Sequence, residues 1–87
     1  MSTENVDIRP AQVRAARALL DLTQPQLASA AGVGLSTVID FERSRREVSP
    51  QSIRAIRVAL ERAGVEFIEE NGGGPGVRLK GRTRGRK

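Results

Sequence analysis

T-Q-P-Q-L-A-S-A-A-G-V-G-L-S-T-V-I-D-F-E-R runs from Thr23 to Arg43, two short apolar patterns at helical spacing on either side of Gly32. Thr23 can accept the N–H of Gln26 while the Gln26 side chain returns to the Thr23 N–H, a capping box that predicts a helix over Gln24–Ala31. Glycine adopts the left-handed conformation that ends a helix without the cost other residues bear, so Gly32 stops this one. A second helix is predicted from Leu35 to about Arg43, with Val38 and Phe41 turned inward and Val33 beneath the hinge. Its outward face carries Leu35, Ser36, Ile39 and Asp40. A helix held at a steep angle to its predecessor projects from the body and can enter the groove of a duplex.

Outward from this pair the pattern stays helical. Pro10 suits a first helical turn, where its missing N–H costs nothing, and a helix to about Asp21 places Val13, Ala16, Arg17 and Leu20 on one side. Ser49 followed by Pro50 is a cap and first-turn pair, opening a helix that carries Ile53, Ile56 and Leu60 and stops at Gly64. Val58 lies on the opposite side of that helix. After Gly64 the period becomes alternating: Val65 and Phe67 share a face that Val77 and Leu79 join across Asn71, Gly72, Gly73, Gly74 and Pro75. The expected architecture is mainly α, four to five helices and a C-terminal β-hairpin arm. Its segments are a flexible 1–9, a helical domain over 10–64, an arm over 65–79 and a disordered basic tail over 80–87.

An isolated two-stranded hairpin is marginal in water, so the arm either lies on its own helices or pairs with a second copy of the chain. Pairing is the preferred expectation, because one contact then covers both Val58 and the open strand edge, with Val65, Phe67, Val77 and Leu79 in the seam. The alternative is an arm folded back on the last helix.

Composition narrows the chemistry. A chain of 87 residues has room for one small domain. It holds no Cys, His or Tyr, so the usual zinc ligands are missing and a base to activate Ser or Thr would have to be a carboxylate or a lysine. No enzyme, metal or cofactor is expected. No apolar run approaches the roughly 20 residues that span a bilayer, and no secretion signal opens the chain, so a cytoplasmic, nucleoid-associated location is expected with no membrane partner. Of 15 Lys and Arg, six (Arg78, Lys80, Arg82, Arg84, Arg86 and Lys87) fall in the last ten residues; residues 1–77 carry nine bases against ten acids. Long-range attraction for a polyanion therefore comes from the tail and from the cluster Arg43, Arg45 and Arg46.

Arg17, T-Q-P-Q-L-A from Thr23, A-G-V from Ala31, T-V at Thr37 and Val38, and F-E-R from Phe41 stand in an order and spacing that resembles the helix-turn-helix domain of the XRE family, which includes the lambdoid phage repressors. The resemblance runs from Val13 to Leu60. It implies a buried ion pair between Arg17 and Glu42 that holds the projecting helix at its angle, and a phosphate contact at Gln24, which reads equally as an ordinary polar first-turn residue. It places base contacts on Gly34, Leu35, Ser36, Thr37, Ile39 and Asp40. None of these is the Arg, Asn or Gln that pairs bidentately with purines. Ser36 and Thr37 can hydrogen-bond a base edge, Asp40 can accept from a cytosine amino group, and Leu35 and Ile39 can touch thymine methyls. Arg43, Arg45 and Arg46 would grip phosphates. Two positions depart from the family pattern: Gly34 replaces a Ser or Thr cap, and Ser44 a terminal Gly.

The implied function is a sequence-specific transcriptional regulator, a homodimer on a palindromic operator in double-stranded DNA, open to control by a protein partner. The alternative is a protein-interaction module of the same fold, in the manner of an antitoxin or antiactivator.

Overall fold

A computed structural model describes residues 8–81. Four helices, α1 (Pro10–Leu20), α2 (Gln24–Ala31), α3 (Leu35–Glu42) and α4 (Pro50–Ala63), precede an antiparallel hairpin of β1 (Val65–Ile68) and β2 (Gly76–Leu79). Residues 82–87 of the expected tail and 1–7 of the expected flexible start lie outside the described residues. Lys80, the expected first residue of the tail, is instead held by its N–H on the Gly64 carbonyl at 2.9 Å and its Nζ on the Glu61 carbonyl at 2.8 Å. Ile8 and Arg9 do not belong with the flexible start: Ile8 is buried in the core, and Arg9 donates its N–H to Gln12 Oε1 at 2.7 Å as α1 begins.

Local chemistry accounts for the helix ends. Thr23 Oγ1 accepts the Gln26 N–H at 3.1 Å while the Thr23 N–H reaches Gln26 Oε1 at 2.9 Å, the expected capping box. Ser49 Oγ accepts the Ser52 N–H at 3.1 Å and opens α4. The C-terminal ends of α1, α2 and α3 share one geometry, in which a residue with positive φ lets the chain fold back on the last carbonyls. These residues are Asp21 (φ 61°), Gly32 (φ 71°) and Ser44 (φ 54°), so only the middle turn has the residue type that conformation favours. At the α3 end, Ser44 N–H bonds the Phe41 carbonyl at 3.2 Å and Arg45 N–H the Asp40 carbonyl at 2.9 Å.

Left-handed backbone costs an L-residue about 1–2 kcal/mol, and glycine returns part of that relief as extra freedom in the unfolded chain. Ser44→Gly is therefore expected to stabilise the domain by about 0.5 kcal/mol, raising the melting temperature by roughly 2–4 °C in a thermal melt.

The core is one cluster drawn from the four helices and β1, with Val77 of β2 packed against it. Val13 and Ala16 of α1, Leu27 of α2, Val38 and Phe41 of α3, and Ile56 and Leu60 of α4 meet, with Val48 from the α3–α4 connection. Val65 closes the cluster from β1 with no exposed surface. In the hairpin Val65 pairs with Leu79 and Phe67 with Val77 on the core-facing side, while Glu66 and Arg78 meet outside, 2.8 Å apart.

Within the single chain the arm takes the alternative course, folded back on its own helices. β1 lies against α4 and both strands lie against α1, Val65 is buried within its own chain, and Phe67 and Val77 pack on the same core. The surface beside α1 and α4 takes Val65 fully, and Phe67 and Val77 in part, within the same chain. Of the five residues expected in a dimer seam, Val58 and Leu79 are the ones left exposed. The arm is pinned by Gln12, whose Nε2 donates to the Gly76 carbonyl at 2.8 Å, and by Lys80 N–H on the Gly64 carbonyl at 2.9 Å. Arg57 stacks its guanidinium 5.5 Å from the centroid of the Phe67 ring.

Candidate nucleic-acid interface

The posture of α3 is set from behind by two arginines of α1. Arg17 Nε and Nη2 donate to Glu42 Oε2 and Oε1 at 2.7 and 2.9 Å, a two-pronged pairing with the last residue of α3. The third prong, Nη1, donates to the Leu22 carbonyl at 3.0 Å, so the same guanidinium also ties down the α1–α2 turn. Gln24 Nε2 adds a bond to Glu42 Oε1 at 3.0 Å. The Glu42 side chain is 2 % exposed, and its charge is met by three donors. Hydrogen bonding to Glu42 raises the Arg17 pKa above its ordinary value, outweighing burial, which lowers it.

Arg14 makes a contact that the sequence did not reveal: its Nη1 donates to the Glu42 main-chain carbonyl, capping the C-terminal end of α3. The available signal was its place one helical turn before Arg17, on a neighbouring part of the same helix surface. Gln24, expected on a phosphate, has its amide engaged with Glu42 and is half-buried. It serves the same tether as Arg17.

With its rear fixed, α3 presents a polar and apolar surface to solvent. Gly34, Leu35 and Ser36 are exposed, and Thr37, Ile39 and Asp40 are half-buried. Leu35 leaves 42 % of its surface open, about as much as Leu19 and less than Leu79. Gly34 begins the helix with no side-chain cap. Ser36, Asp40 and Arg43 form one stripe at i, i+4 and i+7. Beyond it the turn carries Arg45 and Arg46, both exposed.

Asp40 differs from its expected role as a free acceptor. Arg46 Nε donates to Asp40 Oδ2 at 2.6 Å, and Arg45 Nη1 stands 3.9 Å from Oδ1. The carboxylate is thus held by the arginine cluster. The negative charge that would repel phosphates from the centre of the stripe is balanced at its source.

Among the described residues no helix is long and apolar enough to cross a membrane. A protein-family model described as helix-turn-helix matches residues 13–67, which takes in all of α2, α3 and α4, most of α1 and the first strand residues. No curated protein matches the chain.

Proposed function

The chain belongs to the XRE-type helix-turn-helix family, a non-enzymatic family of DNA-binding domains, and from that premise we propose that it is a sequence-specific transcriptional regulator acting as a homodimer on a two-fold symmetric operator. The observation that carries this reading is a short helix braced at its rear by Arg17 and Glu42 while its opposite stripe stays open. In this reading α3 enters the major groove from its N-terminal end. Ser36 and Thr37 hydrogen-bond base edges, and Leu35 and Ile39 rest on thymine methyls. Arg43, Arg45 and Arg46 bind phosphates on the flank, and the basic residues after Leu79 add attraction that is blind to sequence.

Few strong base readers leave much of the selectivity to the distance between two copies. The dimer contact proposed here is the exposed face of α4 around Val58. It borders Ala55 and the end of α2 at Ala30 and Ala31 in a shallow groove flanked by Arg54 and Arg62. The open Leu35 also suits a second reading, docking of a partner protein on α3. Apolar protein contacts are nearly insensitive to salt, whereas phosphate contacts release counterions and weaken steeply as salt rises.

Selection of bound fragments from a pool of random duplexes tests the proposal. The expected result is a palindromic motif whose half-sites are centred about one helical turn apart, roughly 34 Å. A pool that shows no enrichment after several rounds at low ionic strength would overturn it.

A further inference from the structure

On the DNA-binding reading above, Asp40 is in an unfavourable place: midway along the stripe between Ser36 and Arg43, where a carboxylate faces the phosphates of any duplex. The backbone explains how that charge is managed. Arg45 N–H closes the α3 turn on the Asp40 carbonyl at 2.9 Å, which brings the basic turn back over the Asp40 side chain. Arg46 then bonds the carboxylate through Nε at 2.6 Å. A guanidinium held by Nε keeps its two-nitrogen end available, and here Nη1 makes only a long 3.4 Å approach to the Glu47 carbonyl. Asp40 is 17 % exposed against 56 % for each arginine, so the acid sits behind and the cations in front.

We infer that Asp40 is a positioning residue that fixes Arg46, and by charge Arg45, for one placement of the DNA backbone, and so sets how far the protein prefers its own site over random duplex. On the matched site, phosphates lie where the held guanidinium already points. No side chain has to be ordered, and the carboxylate stays neutralised. On a mismatched backbone Arg46 must leave Asp40 to follow the phosphate, which uncovers a negative charge beside DNA. Discrimination then arises from a residue that touches no base.

Asp40→Ala, Asp40→Asn and the unaltered chain are compared by fluorescence anisotropy across a salt series, on the duplex selected above and on a random duplex. Asp40→Ala is expected to bind random duplex about 3–10-fold more tightly, with its log–log salt slope steeper by about 0.9, the contribution of one freed cation. Affinity for the selected duplex falls or stays level, so the preference for it drops about tenfold. Asp40→Asn keeps an acceptor for Arg46 Nε without the charge and falls between. The Asp40 carbonyl still closes the turn in both variants, and an unchanged thermal melt confirms it. If the unaltered chain prefers the selected duplex but both variants keep its preference and its slope, Asp40 has no such role and the regulator reading stands. If the unaltered chain shows no salt-dependent binding to either duplex, the regulator reading fails and this inference fails with it.

Discussion

Glu42→Ala is expected to remove a large share of the domain's stability, roughly 3–5 kcal/mol. The substitution removes a side chain 2 % exposed and deprives the Arg17 guanidinium of the acceptors for its Nε and Nη2. Breaking one side of a buried, hydrogen-bonded pair costs roughly 3–5 kcal/mol, and a small domain has only about 5–15 kcal/mol of stability to lose. Loss of the Gln24 bond adds to the damage. Chemical denaturation followed by circular dichroism measures the loss directly; a change below about 1 kcal/mol would show the pair to be dispensable. Arg17→Ala is expected to cost at least as much, because it leaves the Glu42 carboxylate, 2 % exposed, with only the neutral Gln24 amide, whereas the guanidinium left by Glu42→Ala is 22 % exposed and keeps its bond to the Leu22 carbonyl. The raised Arg17 pKa fixes the sign of the pH effect. A base whose folded pKa is raised gives its full stabilisation below the unfolded value, and the contribution fades only as pH climbs through the folded one. Both values lie far above neutrality, so the Arg17 side of the tether is level across the neutral and mildly alkaline range.

The second large effect is on DNA. Arg43→Ala with Arg45→Ala removes two cations from the flank of α3 and leaves the 2.6 Å pairing of Arg46 with Asp40 in place. A hydrogen bond to a charged group contributes roughly 1.5 kcal/mol or more, about tenfold in affinity, so the double variant is expected to bind its selected duplex about a hundredfold more weakly. The log–log salt slope should become shallower by about 1.8, since each phosphate contact contributes about 0.9. Both side chains are exposed and neither supports the core, so the melting temperature is expected to move little. Weakened binding with an unchanged slope would mean that these arginines do not meet phosphates.

What could be read from the residues and what could not divides along the range of the interactions. The Thr23–Gln26 cap, the Gly32 stop and the Ser49–Pro50 start depend on neighbours within a few positions, and each stands where the sequence put it. The pairing of Arg17 with Glu42 spans 25 residues and came from the resemblance to a known family, not from periodicity. Alternation located both strands but could not say what they pack on. A period of two fixes which side chains share a face and leaves the opposite surface unspecified, and here that surface is the chain's own α1 and α4. The Arg46–Asp40 contact was hidden for a related reason. It needs the chain to reverse at Ser44, where the residue type itself does not announce a positive φ and only the family's terminal Gly at that position points to one.

The hydrogen bond from Gln12 to Gly76 joins residues 64 positions apart, near the two extremities of the described chain. During synthesis α1, α2 and α3 emerge early, yet the surface of α1 that receives β2 stays bare until residues through Leu79 have been made. Domains whose contacts reach this far along the chain close late, and their exposed apolar faces are open to chaperones in the interval. Nascent chains halted before Gly76 should therefore be protease-sensitive and poor at gripping DNA, a result that limited proteolysis of stalled chains would check.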